Sequence, residues 1–471
     1  MSDSSTSAGG RTGAVARAAG HFDNGDFVAG LARLIAHPTQ SQLPGAHPAL
    51  TSYFSDVVGP ELGSLGFALE ILDNPDPGAG PVLLATRHEG DDRPSVLIYG
   101  HGDVVVGQDD KWRAGLAPWN VTADGDRLYG RGTADNKGQH WTNIGGLRAV
   151  IEERGSLGFN CTVLLESDEE MGSRGLREFC RIQADRLRAD VLIASDGPRL
   201  DPARATIVLG SRGIVNFELA LKLRDGAHHS GNWGGLIRDP GIVLSHAIAS
   251  VTDARGQITI PEWRPTSLTP EIRALLADVK ISGGEGSPDI DTDWGETDLS
   301  PEERVYGWNS FAVLALDMGD PERPQNAIAP EARAVCQIRY VVGTDPDDIL
   351  PALRRHLDTC GFHDINVTTT RMAGMRATRS DPDNEWVQRA LASVNRTLSE
   401  NGSGSSAALI PNIGGGIPND IFGEDLGMPT VWVPHSYAGC NQHAPNEHML
   451  ASVAREGLQI MAGLFWDIGT D

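Results

Sequence analysis

Three short runs of the chain are almost wholly apolar: Ser95-Val-Leu-Ile-Tyr99, Cys161-Thr-Val-Leu-Leu165 and Val191-Leu-Ile-Ala194. Each is of strand length and gives way at once to polar residues. The first runs into Gly100-His101-Gly102-Asp103, the second into Glu166 to Glu170, and the third into Ser195-Asp196. Helical spacing falls between and before them. Phe27, Leu31 and Leu34 predict a helix over Asp26–Ala36, and a second is expected over about Ala49–Leu65. Trp141, Ile144, Leu147, Val150 and Ile151 predict another over Asn136–Glu153. Strands that alternate with helices and deliver polar groups at their carboxyl ends make an α/β pattern, in which a mostly parallel sheet carries its site beyond those ends.

The pattern changes after Gly210. Ile214 to Leu223 alternates, with Val215, Phe217, Leu219, Leu221 and Leu223 set against Asn216, Glu218 and Lys222. A helix fits Gly241–Thr252 and strands fit Ser310–Leu316 and Ala332–Val342. A helix follows at Asp347–Thr359, with Gly361 as its cap, and then a strand at Asp364–Thr370. Residues 281–300, rich in Gly and Asp, read as a loop. This α+β unit covers roughly 211–377. Amphipathic helix resumes over Asp383–Leu398, and Val431-Trp-Val433 supplies one more strand, so one domain is inserted into another.

Length agrees with that division, since 471 residues exceed one ordinary core. Hydrophobic residues make up 40% and charged residues 22%, the balance of a globular chain. The formal net charge of −24 argues against nucleic acid as a partner, because phosphate binding needs a basic face. Five cysteines (161, 180, 336, 360 and 440) lie far apart with no CxxC pair, which suits a reducing cytoplasm better than a disulfide framework. No run has the 18 or so apolar residues that span a bilayer. The first 25 residues lack the apolar stretch of a signal peptide and are expected to be a disordered tail.

The polar strand ends hold metal-ligand types. His101 and Asp103 sit two apart on an extended segment, so both side chains face one way. The imidazole can ligate a metal while the carboxylate accepts its other N–H. Alone, such a pair is more often structural. Asp135 follows Gly130 and Gly132; it could bridge two cations, or cap the helix that starts near Asn136. Glu169-Glu170 are adjacent carboxylates that repel each other unless cations neutralise them. Two metals about 3.5–4 Å apart would do so. Asp196 ends its strand in the same manner. His443 lies in Cys440-Asn-Gln-His-Ala-Pro-Asn-Glu-His448, where His448 competes for the ligand role and Cys440 reads as a neutral thiol. Two His and four carboxylates suit two divalent metals that share one carboxylate, with one carboxylate left as a base.

In this order the segments resemble the M20 family of metallopeptidases and amidohydrolases, most of all its carnosinase-like dipeptidase branch, over residues from about 27 to 465. The resemblance implies an α/β catalytic domain of the zinc-exopeptidase (phosphorylase/hydrolase-like) type over 26–210 and 378–471, with an inserted lid and dimerisation domain over 211–377. It implies that His101 and Asp196 hold one divalent metal, that Glu170 and His443 hold the other, and that Asp135 bridges them. Glu169 becomes the general base and Asp103 the partner of His101. Zn is the expected ion, with Mn or Co also used in the family. A homodimer through the inserted domain is implied, in which His229 before Ser230-Gly231 reaches the neighbouring site and Asn326 makes a further contact from the partner. Arg339 stands where the family holds a substrate carboxylate, a task suited to a guanidinium fork. Gly414-Gly415-Gly416-Ile417-Pro418 resembles a Gly-Gly-Ser-Ile-Pro loop along the substrate, with Gly416 in place of Ser; Asn136 stands where many relatives have Asp. The expected reaction is hydrolysis of an amide bond in a dipeptide or other short peptide with a free carboxylate. The alternative is an N-acyl amino acid, a non-peptide amide or an aromatic amine. Neither a membrane nor a nucleic-acid partner is expected.

Overall fold

The computed structural model describes residues 10–281, 288–369 and 375–470. Its main sheet has eight strands among the described residues. In spatial order they are Ala68–Leu72, Val82–Arg87, Asn160–Glu166, Ser95–His101, Val191–Ala194, Thr430–Trp432, Thr206–Val208 and Ala408–Ile410. The strand Ser95–His101 runs parallel to both of its neighbours, and Thr430–Trp432 continues parallel beside Val191–Ala194. The pairs at the Ala68 edge are antiparallel, as is the contact of Trp432 with Val208. The architecture is thus α/β with a mostly parallel central sheet.

The continuous apolar runs are explained by burial on both faces, since successive side chains of a strand point to opposite sides. Val96 and Ile98 enter one core and Leu97 and Tyr99 the other. Val191 and Ile193 divide from Leu192 and Ala194 in the same way. The first core is closed by the helices Asp26–Ile35, Lys137–Arg154, Glu385–Glu400 and Ala451–Ile468. The last of these was not foreseen. Its stretch over residues 460–466 is apolar all round and buried, which blurs the one-sided spacing that marks a surface helix.

The expectation of a disordered tail over 1–25 does not hold where the chain is described. Arg11–Asp23 is a helix packed on Ala451–Ile468 and Lys137–Arg154. Its buried face is built from Ala14, Val15, Ala18 and Ala19, small side chains that give a weak hydrophobic signal but allow close helix contact. Arg11 is 5% exposed. It donates to Asp467 (2.9 Å), Glu400 (2.6 Å), Thr397 Oγ1 (2.7 Å) and the Ser393 carbonyl (3.0 Å). Residues 1–9 lie outside the described residues.

A second, four-stranded antiparallel sheet has the order Ser310–Asp317, Glu331–Tyr340, Gly213–Lys222, Asn366–Thr369. It has its own core, in which Phe217, Leu219, Leu221, Trp263, Cys336 and Ile338 meet the helices Pro240–Val251 and Ile349–Thr359. The edge strand Ser310–Asp317 exposes Val313, Leu314 and Leu316. Residues 282–287 of the expected Gly- and Asp-rich loop and Thr370 of the expected last strand lie outside the described residues; 288–300 carry turns only.

Replacing Arg11 by Ala should lower stability by about 2 kcal/mol, the scale of lost hydrogen bonds to charged groups. The midpoint of urea unfolding reads this directly, and an unchanged midpoint would contradict an anchored first helix.

Candidate active site

All the metal-ligand types come together at the carboxyl edge of the main sheet. His101 is the last residue of its strand and is fully buried. Asp196 lies two residues past Val191–Ala194, and Glu169 and Glu170 open the turn that follows Asn160–Glu166. Asp135 immediately precedes the helix capped by Asn136. His443 comes from a loop after the strand pair at Ser436-Tyr437.

Asp135 is the centre of the arrangement. Its Oδ1 lies 3.1 Å from His101 Nε2 and its Oδ2 lies 3.1 Å from His443 Nε2. Asp196 Oδ2 is 3.7 Å from the same His101 nitrogen, and Glu170 Oε2 is 3.1 Å from that of His443. Two groups of potential ligands result, His101–Asp135–Asp196 and Asp135–Glu170–His443, each with its donor atoms within 4.8 Å of one another. Glu169 belongs to neither group; its Oε2 stands 3.9 Å from His101 Nε2. Asp103 does two things. Its carbonyl and its Oδ1 face His101 Nδ1 at 3.1 and 3.3 Å, and its carboxylate accepts the backbone N–H groups of Glu169 (3.2 Å) and Glu170 (3.1 Å). It therefore ties the imidazole to the turn that carries both glutamates.

The electrostatics call for cations. Burial pushes the Glu169 carboxyl well above the usual carboxylate range, and Asp196, Glu170 and Asp135 add to the shift against the pull of His101. Burial and the charge of Asp135 lift Glu170 to about 7 and Asp196 to about 6. Asp135 goes the other way, because its bonds to His101 and His443 outweigh its burial. Its contacts with Asp135 and Glu170 lift His443 to about 11. Glu170 Oε1 is buried with no hydrogen-bond partner. An orphaned carboxylate oxygen beside two imidazoles and a shared carboxylate is a donor set that divalent cations satisfy.

A cavity of about 480 Å³ opens over this cluster. Asp135, Glu169, Asp196 and His443 form its polar end, and Leu200, Tyr306, Ile410, Ile413 and Ile417 form an apolar wall. Tyr306 comes from the inserted unit, so both parts of the chain line the cavity. Gly415 and Gly416 lie along it. A Cβ on Gly416 would stand 2.9 Å from Met375 Sδ and 3.1 Å from Ile214 Cδ1, so the glycine makes room for two apolar side chains. His229, Asn326 and Arg339 are not among the lining residues. His229 is exposed and pairs with Ala327, and the Asn326 carbonyl accepts from Ser230 N at 2.9 Å, so these two are neighbours on the inserted unit. Arg339 is paired across strands with Ile214, the residue against Gly416.

His448 donates no ligand to either group; its Nε2 meets Tyr437 Oη at 2.7 Å. Cys440 is buried beside Ala134 and Tyr437, and burial raises its thiol to about 12, which keeps it neutral. Asn136, the departure next to Asp135, donates to the Ser195 carbonyl at 2.8 Å. Gln442, whose Nε2 is 3.4 Å from Asp135 Oδ2, and Glu447 escaped the sequence reading, although both lie in the segment that was singled out for its histidines.

The sequence profile of peptidase family M20/M25/M40 matches residues 97–467. The chain belongs to that family. Among curated members, Beta-Ala-His dipeptidase of Mus musculus is 35% identical over 187 residues, 38% of this chain and 37% of that enzyme. Cysteinylglycine-S-conjugate dipeptidase of Corynebacterium striatum is 26% identical over 317 residues, 66% of this chain and 67% of that enzyme. The chain thus spans under two fifths of the length of the mouse relative it matches. In fold, this M20 chain resembles human carnosine dipeptidase 1, with a TM-score of 0.76 at 22% identity over 97% of this chain and 99% of that one. An M20 family metallo-carboxypeptidase from Sulfolobus solfataricus gives a TM-score of 0.77 at 23% identity, over 94% and 99%.

The chelator-stripped chain should take up two divalent ions. Asp135→Ala removes the ligand common to both groups and should bind fewer than one, whereas His443→Ala should keep one. Metal analysis after gel filtration reads both, and two ions retained by Asp135→Ala would contradict the shared-ligand geometry.

Proposed function

We propose that this chain hydrolyses the amide bond of a dipeptide or similarly short peptide with a free carboxylate. The observation that carries this reading is the pair of ligand groups joined at Asp135, with the separate carboxylate of Glu169 at the cavity floor. Two divalent ions, held by His101 with Asp196 and by Glu170 with His443, would act as Lewis acids and bring the pKa of the attacking water from about 15.7 towards about 7. Zn suits these donors best, and Mn or Co would serve the same ligands.

In this reading Glu169 accepts the proton of the attacking water and returns it to the leaving nitrogen. Its carboxylate stands 3.9 Å from His101 Nε2 and outside both ligand groups, which leaves it free for that transfer. Arg339 recognises the substrate carboxylate. Its Nη1 is buried without a hydrogen-bond partner while Nε donates to Gln337, so a guanidinium edge remains to be satisfied. His229 works on the neighbouring subunit's site, where its N–H stabilises the oxyanion. Nδ1 of His229 accepts from Gly231 N at 3.1 Å, which puts the proton of the neutral ring on Nε2. Dimerisation through the inserted unit is supported by the exposed apolar residues Val313, Leu314, Leu316 and Met318 on and after its edge strand, with Ile242 on the helix Pro240–Val251. Among the described residues no helix is long and apolar enough to cross a membrane, and the five cysteines are free, which fits our placement of the reaction in the cytoplasm. The named relatives that are dipeptidases support the substrate class.

The test is amine release from a panel of dipeptides and N-acyl amino acids by Zn-, Mn- and Co-loaded protein. Turnover of dipeptides, lost on amidation of their C-terminal carboxylate, is expected; turnover confined to N-acyl amino acids or to amides without a carboxylate would overturn the reading. Glu169→Ala should lose more than nine tenths of kcat and keep both metals. Glu169→Ala and His229→Ala subunits, each nearly inactive, should regain activity when mixed, because one site of the mixed dimer then has both groups intact. A verified mixed dimer without rescue would contradict a shared site.

A further inference from the structure

The carboxylate of Glu447 is fully buried and does not line the cavity. Its Oε1 accepts three backbone N–H groups, from Gly132 (3.0 Å), Ala134 (2.9 Å) and Asp135 (3.0 Å). Its Oε2 accepts from Arg131 Nη1 at 2.7 Å, and its carbonyl accepts from Gly130 N at 3.0 Å. Gly132, at φ +90°, adopts a conformation that L side chains rarely take, and its N–H meets the same oxygen as those of Ala134 and Asp135. The remaining N–H of the turn, that of Thr133, bonds within it to Gly130. One carboxylate thus collects the loop that ends in Asp135.

The same short segment carries His443, four residues earlier. It is held from outside by Gln108 Nε2 on the His443 carbonyl (3.2 Å) and by the Arg113 N–H on the Asn446 side chain at Oδ1 (2.8 Å). One stretch of chain therefore supplies a ligand of one group and grips the loop that bears the ligand of both. An ion pair kept for stability alone would need only Arg131. The three N–H bonds, the last of them on Asp135 itself, have no part in that pair.

We propose that Glu447 is a positioning residue for the dinuclear centre: its carboxylate sets the backbone of Asp135 so that each carboxylate oxygen faces one imidazole. This rests on the two-metal reading above, but its readout is metal binding rather than peptide cleavage, so the two can fail separately. Glu447→Asp keeps the charge and draws the carboxylate back by one methylene. It should weaken Zn binding at least tenfold, the lower end of what partners of metal ligands contribute, as read by competition with a chromogenic chelator. The visible spectrum of the Co-loaded protein should change with it. A second comparison removes the Arg131 charge so that no guanidinium is stranded. R131M/E447Q keeps an acceptor for the three N–H groups and should bind Zn at least tenfold more tightly than R131M/E447A. Circular dichroism establishes which variants fold. Folded Glu447→Asp with wild-type Zn affinity and an unchanged Co spectrum would overturn the proposal, as would equal affinities in folded R131M/E447Q and R131M/E447A.

Discussion

The whole site depends on one carboxylate that must serve two imidazoles at once. Asp135 reaches His101 with one oxygen and His443 with the other, both at 3.1 Å, and every other member of the cluster is placed relative to it. Asp196 and Glu170 flank the two histidines, and Glu169 stands close to His101 without joining either group. So many acidic groups in a buried place repel one another, and the raised carboxyls of Glu169, Glu170 and Asp196 record that cost. Cations remove it.

The fold supplies the convergence. A sheet buried on both faces has no room for charge along its strands, so its polar side chains collect where the strands end. His101, Glu169, Glu170 and Asp196 all arrive that way, from three parallel neighbours. The other two members of the cluster cannot, because they come from loops. Asp135 and His443 therefore need separate support, and the buried carboxylates of Asp103 and Glu447 hold the backbone of the turns around the cluster. The inserted unit brings Tyr306 to the cavity and places Arg339 across from Ile214, the residue against Gly416.

Much of this was readable beforehand, and for a physical reason. Strands buried on both faces give uninterrupted apolar runs, and the switch to His, Asp or Glu at their ends is abrupt, so the strands and the four residues His101, Glu169, Glu170 and Asp196 that follow those runs are visible in one sequence. What stayed hidden lacks such contrast. The first helix buries alanines and an arginine, and the last loses its polar face over residues 460–466. The antiparallel edge strands Ala68–Leu72 and Val82–Arg87 carry no chemistry to draw the eye. Glu447 looks like one more acid in an acidic chain; only the three N–H groups aimed at it, which sequence does not display, separate it from a surface glutamate. The roles of His229, Asn326 and Arg339 came from family resemblance rather than local pattern, and the cavity lining of a single chain includes none of them.

Anomalous X-ray diffraction from crystals of the Zn-loaded protein tests the centre of this account most directly. Two peaks about 3.5–4 Å apart, one beside His101 and Asp196, the other beside Glu170 and His443, with an Asp135 oxygen on each, are the expected result. A single peak, or two that do not share Asp135, would contradict it.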